Sequence, residues 1–366
     1  MSDLLRTDQV GSLLRPAALL AARRSHAAGE LSLEALREAE DAAVLAALQR
    51  QHDVGIGIVT DGEFRRKAWM TNVSEAVDGF VDHSRVMAWH DASGEVVHEP
   101  SYSKVVGAKL RPLRRITAVD SAFLLRHAPG PFKITLPSPS VVAGAGFLPG
   151  TTDGAYRDVA ELSADVLDIL RQELVALAAE GVEYVQLDEG FTRFVSDVWR
   201  RDLSSQEAAR TIEQAVALEN DCFAALPADV PITKAIHICR GNSRSRWTSS
   251  GGYEALAEQV FADVEVDRFL LEYDSERAGG FEPLRFMPKG KIAVLGLISS
   301  KFGELESRDT IMKRIDEAAR FLSIDQLALS PQCGFASVDL GNELSEDEQY
   351  RKLELVVRVA SEVWRD

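Results

Sequence analysis

The stretch ITKAIHICRGN, Ile232 to Asn242, is a short apolar run with β-branched residues that ends in polar side chains. Such a run is typical of a strand that is covered on both faces. Successive side chains of a strand alternate between its faces, so His237 and Cys239 share one face. The run therefore predicts a buried strand that presents an imidazole and a thiol side by side at its end.

Seven further runs of this kind recur along the chain, with helical patterns between them. They are TDQVGS near Thr7, IGIVTDGE ending at Glu63, PFKITLPSP from Pro131, VEYVQLDEG from Val182, RFLLEYD from Arg268, KIAVLGLIS from Lys291 and DQLALSPQCGF from Asp325. Two helix starts, SSQE at Ser204 and SEDE at Ser345, match the capping box. Eight apolar strands alternating with helices predict an α/β fold, a parallel sheet closed into a (β/α)8 TIM barrel.

The stretch from about residue 79 to residue 129 interrupts this rhythm. It mixes aromatic residues with polar turns and carries Arg111, Arg114 and Arg115. We expect a hairpin and a helix that lie over one mouth of the barrel. No linker rich in Pro, Gly or Ser divides the chain, so residues 1–366 are predicted to form a single catalytic domain.

The composition excludes several classes of partner. The chain has 366 residues, 46% of them hydrophobic, and a formal net charge of −16. It has no basic stripe to neutralise phosphates, so nucleic acid and anionic membranes are not expected partners. It also has no apolar run of membrane-spanning length and no secretory signal pattern, which predicts a cytoplasmic protein. Nothing in the sequence indicates the oligomeric state.

Polar residues interrupt the apolar runs at the predicted strand ends, where the chemistry of a TIM barrel is located. These residues are Ser12, Asp61, Glu63, Asp188, Glu189, His237, Cys239, Glu272, Asp274, Ser299 and Cys333. One imidazole, one carboxylate and two thiols among them suit tetrahedral zinc rather than magnesium or calcium. The zinc ligands would be His237, Cys239, Glu272 and Cys333. For the His-x-Cys pair alone, a buried histidine beside a buried thiol is the competing interpretation.

Other polar residues have structural interpretations. Three cysteines in a chain of this length do not indicate a disulfide framework. Cys222 lies in a helical pattern and is expected to pack in the core. The loop that carries Asp61, Arg65 and Arg66 has two interpretations. It is either part of the site or a solvated loop whose charges pair with one another.

Eight motifs, in this order, resemble the cobalamin-independent methionine synthase family. They are VGSLLRP, TDGEFRRKAWM, KITLPSPS, VQLDEG, HICRGN, LLEYDSERAGGFEPLRF, VLGLISSKFGELES and LSPQCGFAS. More narrowly, the chain is similar to the short bacterial members, which correspond to the C-terminal catalytic barrel of the full-length enzyme. The resemblance covers nearly the whole chain.

The resemblance implies a zinc-dependent methyltransferase that moves a methyl group to the sulfur of a thiol, most simply homocysteine to give methionine. It assigns the same four zinc ligands, with Glu272 as the one displaced by the substrate sulfur. It also implies that Ser12, Glu63 and Asp188 hold the amino-acid part of the thiol. Glu63 and Asp188 would therefore be catalytic as well as substrate-binding.

Two departures from the family bear on the methyl donor, which would be methyltetrahydrofolate or a methyl-corrinoid. The full-length enzyme has a second barrel, with the folate bound between the halves, and this chain has one. The long form also has a histidine in the loop after the seventh strand, where this chain has Ser299. A methyl group leaves a folate nitrogen poorly without a proton donor, so methylcobalamin is expected to work better than methyltetrahydrofolate.

Two alternatives remain at this stage. In the first, the same zinc machinery directs the thiolate to an epoxide or another alkyl donor, as a thiol alkyl transferase or lyase. Arg111, Arg114, Arg115 and Arg240 would then bind an anionic thiol. In the second, the chain is a non-catalytic metal-binding or cobalamin-interacting protein that has kept the barrel.

Overall fold

The computed structural model describes residues 6–188, 191–196 and 203–364, so Glu189 lies outside the described residues. Its centre is a six-stranded parallel sheet whose strands are adjacent in sequence order, and a separate antiparallel pair precedes it. The pair is β1 (Val77–His90) and β2 (Val96–Pro112). The sheet is β3 (Ile134–Pro137), β4 (Tyr184–Asp188), β5 (Thr233–Ile238), β6 (Arg268–Glu272), β7 (Ile292–Ile298) and β8 (Leu327–Pro331).

Helices occupy most of the connections between the strands. They are α1 (Ala17–Ala27), α2 (Leu33–Val54), α3 (Thr71–Ala76), α4 (Ala118–His127), α5 (Pro139–Gly146), α6 (Val159–Glu180), α7 (Ser205–Phe223), α8 (Glu254–Asp263), α9 (Arg308–Ala318) and α10 (Glu346–Val363). Short 3-10 turns are Thr152–Gly154, Thr192–Val195, Glu276–Ala278, Glu282–Phe286 and Ile324–Gln326. Both predicted capping boxes are present, at Ser204 and Ser345. Among the described residues, no helix is long and apolar enough to cross a bilayer.

The first two predicted strands do not form regular strands. Thr7 makes a single parallel bridge to Leu329 of β8, and Val59 makes one to Phe132, just before β3. These two segments are tied together, since the Gly57 N–H donates to Thr7 Oγ1 at 2.7 Å. They therefore close the ring between β8 and β3, which confirms the barrel and corrects the expectation of eight regular strands.

The side chain of Gln51 replaces part of the backbone pairing that a regular second strand would make. Gln51 of α2 accepts the backbone N–H of Thr60 at 2.9 Å and donates to the Thr60 carbonyl, also at 2.9 Å. These backbone groups would otherwise need a neighbouring strand, because buried N–H and C=O groups are almost always paired. The segment can thus line the barrel without regular strand pairing.

The barrel interior is built in layers of inward-facing side chains. One apolar layer contains Val10, Ile58, Tyr184, Ala235, Leu270, Val294 and Ala328 from seven successive positions around the ring. Residues two positions further along point the same way, which places Gln186, His237 and Glu272 above this layer. Lys133 and Asp8 form a fully buried ion pair, with 2.8 Å between Nζ and Oδ1.

The interruption of the strand pattern is the β1–β2 hairpin followed by α4, as expected. His90, at the end of β1, forms an antiparallel bridge with Trp247 in the loop after β5. Arg246 of the same loop pairs with Glu99 of β2. Because this loop follows the strand that carries His237, the hairpin tip contacts the C-terminal mouth of the barrel.

Candidate metal centre at the barrel mouth

Four side chains from the ends of β5 and β6 and from the loop after β8 converge at this mouth. Each of His237, Cys239, Glu272 and Cys333 offers one ligand atom, and these atoms all lie within 4.8 Å of one another. All four residues are buried, and the two sulfurs are 3.5 Å apart. Two thiolates on one tetrahedral zinc ion are separated by roughly 3.8 Å, given zinc–sulfur bonds of about 2.3 Å. The donor set and its spacing therefore fit zinc.

His237 is oriented as a ligand. Its Nδ1 lies 3.1 Å from the carbonyl oxygen of Leu270 on the neighbouring strand. Its Nε2 is buried and has no hydrogen-bond partner among the described residues. Metal-binding histidines commonly donate one ring N–H to a carbonyl or carboxylate, which leaves the other nitrogen for the metal. The buried, unpartnered Nε2 is therefore available to bind a metal ion.

The electrostatics of the cluster favour a thiolate. Hydrogen bonding from Cys239 and the charge of the nearby His237 imidazole lower the pKa of the Cys333 thiol well below its usual value, despite burial. Burial alone lowers the pKa of His237, but the neighbouring anionic groups, led by Cys333, outweigh it and raise that pKa to about 9. A metal ion would bind these side chains in their deprotonated forms.

Glu272 is held by donors on both carboxylate oxygens. The backbone N–H of Arg240 donates to Oε1 at 2.7 Å, and Arg277 lies 3.3 Å from Oε2. The Arg240 guanidinium donates to the hydroxyl of Tyr253, the carbonyl of Glu272 and the carbonyl of Gly251. Arg240 is therefore committed to supporting the site and has no exposed face for a substrate.

Glu63 lies in a strained turn beside the cluster. It has φ of 58°, in the left-handed region that non-glycine residues rarely adopt, and such strain is common at functional sites. Its backbone N–H donates to Asp61 Oδ1, and its Oε1 accepts from Thr135 at 2.9 Å. Its Oε2 is buried without a partner among the described residues, a position suited to a bound ammonium group.

Asp188 is the second carboxylate of this region. Burial raises its pKa to about 7, with Glu63 contributing in the same direction and His237 opposing. Gln186 Nε2 donates to its Oδ1 at 2.6 Å, and Lys133 donates to Gln186 Oε1 at 2.6 Å. The buried ion-pair layer of the barrel therefore orients Asp188 through Gln186.

Ser12 lies against the loop that carries Cys333. Its Oγ is 3.4 Å from the backbone nitrogen of Ala336, and its carbonyl accepts from Phe335 at 2.8 Å. A Cβ on Gly334 would lie 2.0 Å from the Ser12 Oγ. Gly334 is thus required for the close approach of Ser12 to this loop.

The arginine cluster is not at the site, which corrects the expectation that it binds an anionic thiol. Arg111 is exposed and pairs with Asp78, while Arg115 pairs with Glu173 and Glu180 of α6 on the outside of the barrel. Arg111 lies near the end of β2 and Arg115 just after it, far from the hairpin tip. The sequence pattern does not reveal which end of the hairpin faces the barrel mouth.

Three other expectations have clear outcomes. Cys222 is fully buried in the core, as predicted. Asp61 and Arg66 are buried rather than solvated, so the interpretation as a solvated loop is wrong. Ser299 follows β7, where its N–H donates to Glu306 and its Oγ accepts from the Lys301 N–H.

Several residues around the ligands are missed by sequence reasoning. Gln186 is detectable in principle, because it lies two positions before Asp188 and so faces the same way. Thr135 and Arg66, which bond each other beside Glu63, carry no local pattern that predicts the contact. Arg277 and Trp247 likewise come from loops whose paths the sequence does not specify.

The fold and the site together define a (β/α)8 barrel with a buried cluster of potential metal ligands, two of them cysteines, at its C-terminal mouth. Residues 5–362 match the family profile described as "Cobalamin-independent synthase, Catalytic domain". The chain therefore belongs to the cobalamin-independent methionine synthase family, as its motifs indicate.

Individual relatives are similar to this chain over nearly their whole lengths. The uncharacterised protein YxjH of Bacillus subtilis is 39% identical, over 98% of this chain and 95% of its own. The crystal structure of a putative vitamin-B12 independent methionine synthase from Listeria monocytogenes superimposes with a TM-score of 0.76 at 28% identity, covering 99% of this chain and 98% of that one. A B12-independent methionine synthase from Shewanella sp. W3-18-1, in complex with selenomethionine, shares the fold with a TM-score of 0.75 at 21% identity, covering 98% and 97% of the two chains.

Proposed function

We propose that this protein is a zinc-dependent methyltransferase that methylates the sulfur of homocysteine to give methionine. The observation that carries the proposal is the buried His237, Cys239, Glu272 and Cys333 cluster, with its unpartnered imidazole nitrogen. These four side chains would hold the zinc. Bound zinc would lower the pKa of a coordinated thiol, so that a nucleophilic thiolate exists near neutral pH.

The carboxylates beside the cluster would bind the amino-acid part of the substrate. Glu63 and Asp188 are buried at separate positions around the mouth, and each offers a carboxyl group whose charged form an ammonium group would stabilise. The Ser12 hydroxyl, next to the Cys333 loop, would bond the substrate carboxylate. This pocket favours an amino-acid thiol, since Arg111 and Arg115 lie elsewhere and the Arg240 guanidinium is bonded to protein groups.

The methyl donor that fits this chain best is a methyl-corrinoid. The loop of residues 299–307 that follows β7 contains no histidine, and Ser299 is a poor proton donor. A folate nitrogen needs a proton as it leaves, and general acid catalysis is worth roughly a hundred- to ten-thousand-fold in rate. A corrinoid leaves without that proton, so only the thiol needs activation.

Methionine formation with two donors tests the proposed function. The zinc-loaded protein, given homocysteine, should transfer a methyl group from methylcobalamin and do so slowly or undetectably from methyltetrahydrofolate. Turnover from methyltetrahydrofolate near the enzyme median of about ten per second, with none from methylcobalamin, would contradict the donor assignment. Absence of methionine with both donors would contradict the proposed function.

A further inference from the structure

A continuous path of side chains connects the hairpin tip to Glu272. The Arg277 guanidinium lies 3.3 Å from Glu272 Oε2, and its carbon lies 5.1 Å from the ring centroid of Trp247. Trp247 stacks on His90, with ring centroids 4.1 Å apart and planes inclined by 11°. Three separate segments thus contribute to the environment of one candidate ligand.

Glu272 is held by a backbone amide and by a cationic side chain, one on each carboxylate oxygen. Its two oxygens contact the Arg240 N–H and the Arg277 guanidinium. Nε2 of His237, by contrast, has no hydrogen bond among the described residues. Glu272 can therefore remain a paired carboxylate away from the metal.

Burial makes this pairing necessary. Glu272 is fully buried, and the side chain of Arg277 is 14% exposed. A carboxylate without a partner at such a position would be strongly unfavourable. Asp274 also lies 3.3 Å from Arg277 and, with Trp247, restricts where the guanidinium can point.

We propose that Arg277 is a positioning residue that receives the Glu272 carboxylate when a substrate thiolate takes its place at the metal. Trp247, braced by His90, keeps the guanidinium in position. This inference rests on the proposed function. The thiol gives its proton to solvent as it binds, and Glu272 leaves as a carboxylate, so one anionic ligand replaces another without any redox change.

Thiol binding to the cobalt(II)-loaded protein tests the role of Arg277, because a new cobalt–sulfur bond changes the visible absorption. Arg277→Gln should keep about one metal per chain and bind homocysteine about ten- to a hundred-fold more weakly, the loss expected for a charged hydrogen bond. Arg277→Lys, which restores the charge, should recover part of the affinity. Arg285→Gln is the matched control, since Arg285 is an exposed cation of the same connection that pairs with Glu254.

The hairpin contribution is tested separately. His90→Ala should weaken homocysteine binding roughly two- to tenfold, the worth of one aromatic stack, with the metal content unchanged. Trp247→Leu should weaken it at least as much, because it removes both the stack and the surface under Arg277.

Three results would overturn the inference. Equal homocysteine affinity in wild type and Arg277→Gln would remove Arg277 from the exchange while leaving thiol binding at the metal intact. Loss of metal in parallel with thiol affinity would show that Arg277 supports the bound carboxylate and not the displaced one. No spectral response to homocysteine in the metal-loaded wild type would overturn the proposed function, and the inference with it.

Discussion

The two buried carboxylates beside the metal cluster define what the site can recognise. Glu63 has one oxygen bonded to Thr135 and the other unpartnered among the described residues, and Asp188 is oriented by Gln186. Both sit on separate segments of the mouth and neither belongs to the ligand cluster. We therefore propose that they bind the substrate and not the metal.

Substitution of these carboxylates separates the two roles. Glu63→Gln and Asp188→Asn should retain zinc and raise the homocysteine KM about ten- to a hundred-fold, because each removes a charged hydrogen bond to the ammonium group. Steady-state kinetics together with metal analysis make the measurement. Glu173→Gln is the control, since Glu173 is also a buried carboxylate. It lies on the outer helix α6, where it pairs with Arg115. Unchanged KM in both site variants would remove the amino-acid pocket.

Residue-scale prediction from sequence succeeds where the period of a strand decides the geometry. The alternation in AIHIC places His237 and Cys239 on one face, and the structure has them both buried in the ligand cluster. It fails for Arg277 and Arg66, because their contacts depend on loop paths. The left-handed backbone at Glu63 is equally invisible, since nothing in TDGE requires a positive φ at the glutamate.

At the scale of elements, helix α7 packs a carboxylate into the core. Burial raises the pKa of Glu219 to about 7, although Ser140 and Ser138 at the start of α5 oppose the shift. In the unfolded chain this group has an ordinary pKa near 4.5. The folded state therefore binds more protons between these values, and the contribution of Glu219 to stability is lost as pH rises through this window.

Glu219→Gln should remove that pH dependence. The unfolding free energy of the variant minus that of wild type should rise by on the order of 2–3 kcal/mol from about pH 4.5 to about pH 8. Urea denaturation at several pH values measures this difference. Glu213→Gln, on the exposed face of the same helix, should show no such trend. A constant difference between Glu219→Gln and wild type across this range would show that Glu219 is not buried as a neutral acid.

The elements themselves were predictable to different degrees. The six regular strands and both capping boxes follow from apolar runs and local polar spacing, as does the hairpin with its following helix. The first two strands do not, because Gln51 takes over the backbone pairing of Thr60. The residues of the strand segment alone cannot predict these hydrogen bonds, because a side chain of helix α2 makes them.

At the scale of the molecule, barrel closure is what creates the site. The ligands come from β5, β6 and the loop after β8, and they are 96 residues apart at the extremes, from His237 to Cys333. The parallel register places His237 beside Asp188 and Leu270, so the metal and substrate groups adjoin in space. We propose that residues 1–366 act as one catalytic domain, with the cytoplasmic location a prediction from composition.

Zinc content is the measurement that tests this account most directly. Metal analysis of the purified protein should give about one zinc per chain in wild type and in Cys222→Ser, whose thiol lies in the core. Cys239→Ser and Cys333→Ser should each lose most of the zinc, because each removes a thiolate from the four-ligand set. Full zinc occupancy in both of these variants, or no zinc in the wild type after loading, would contradict the central claim.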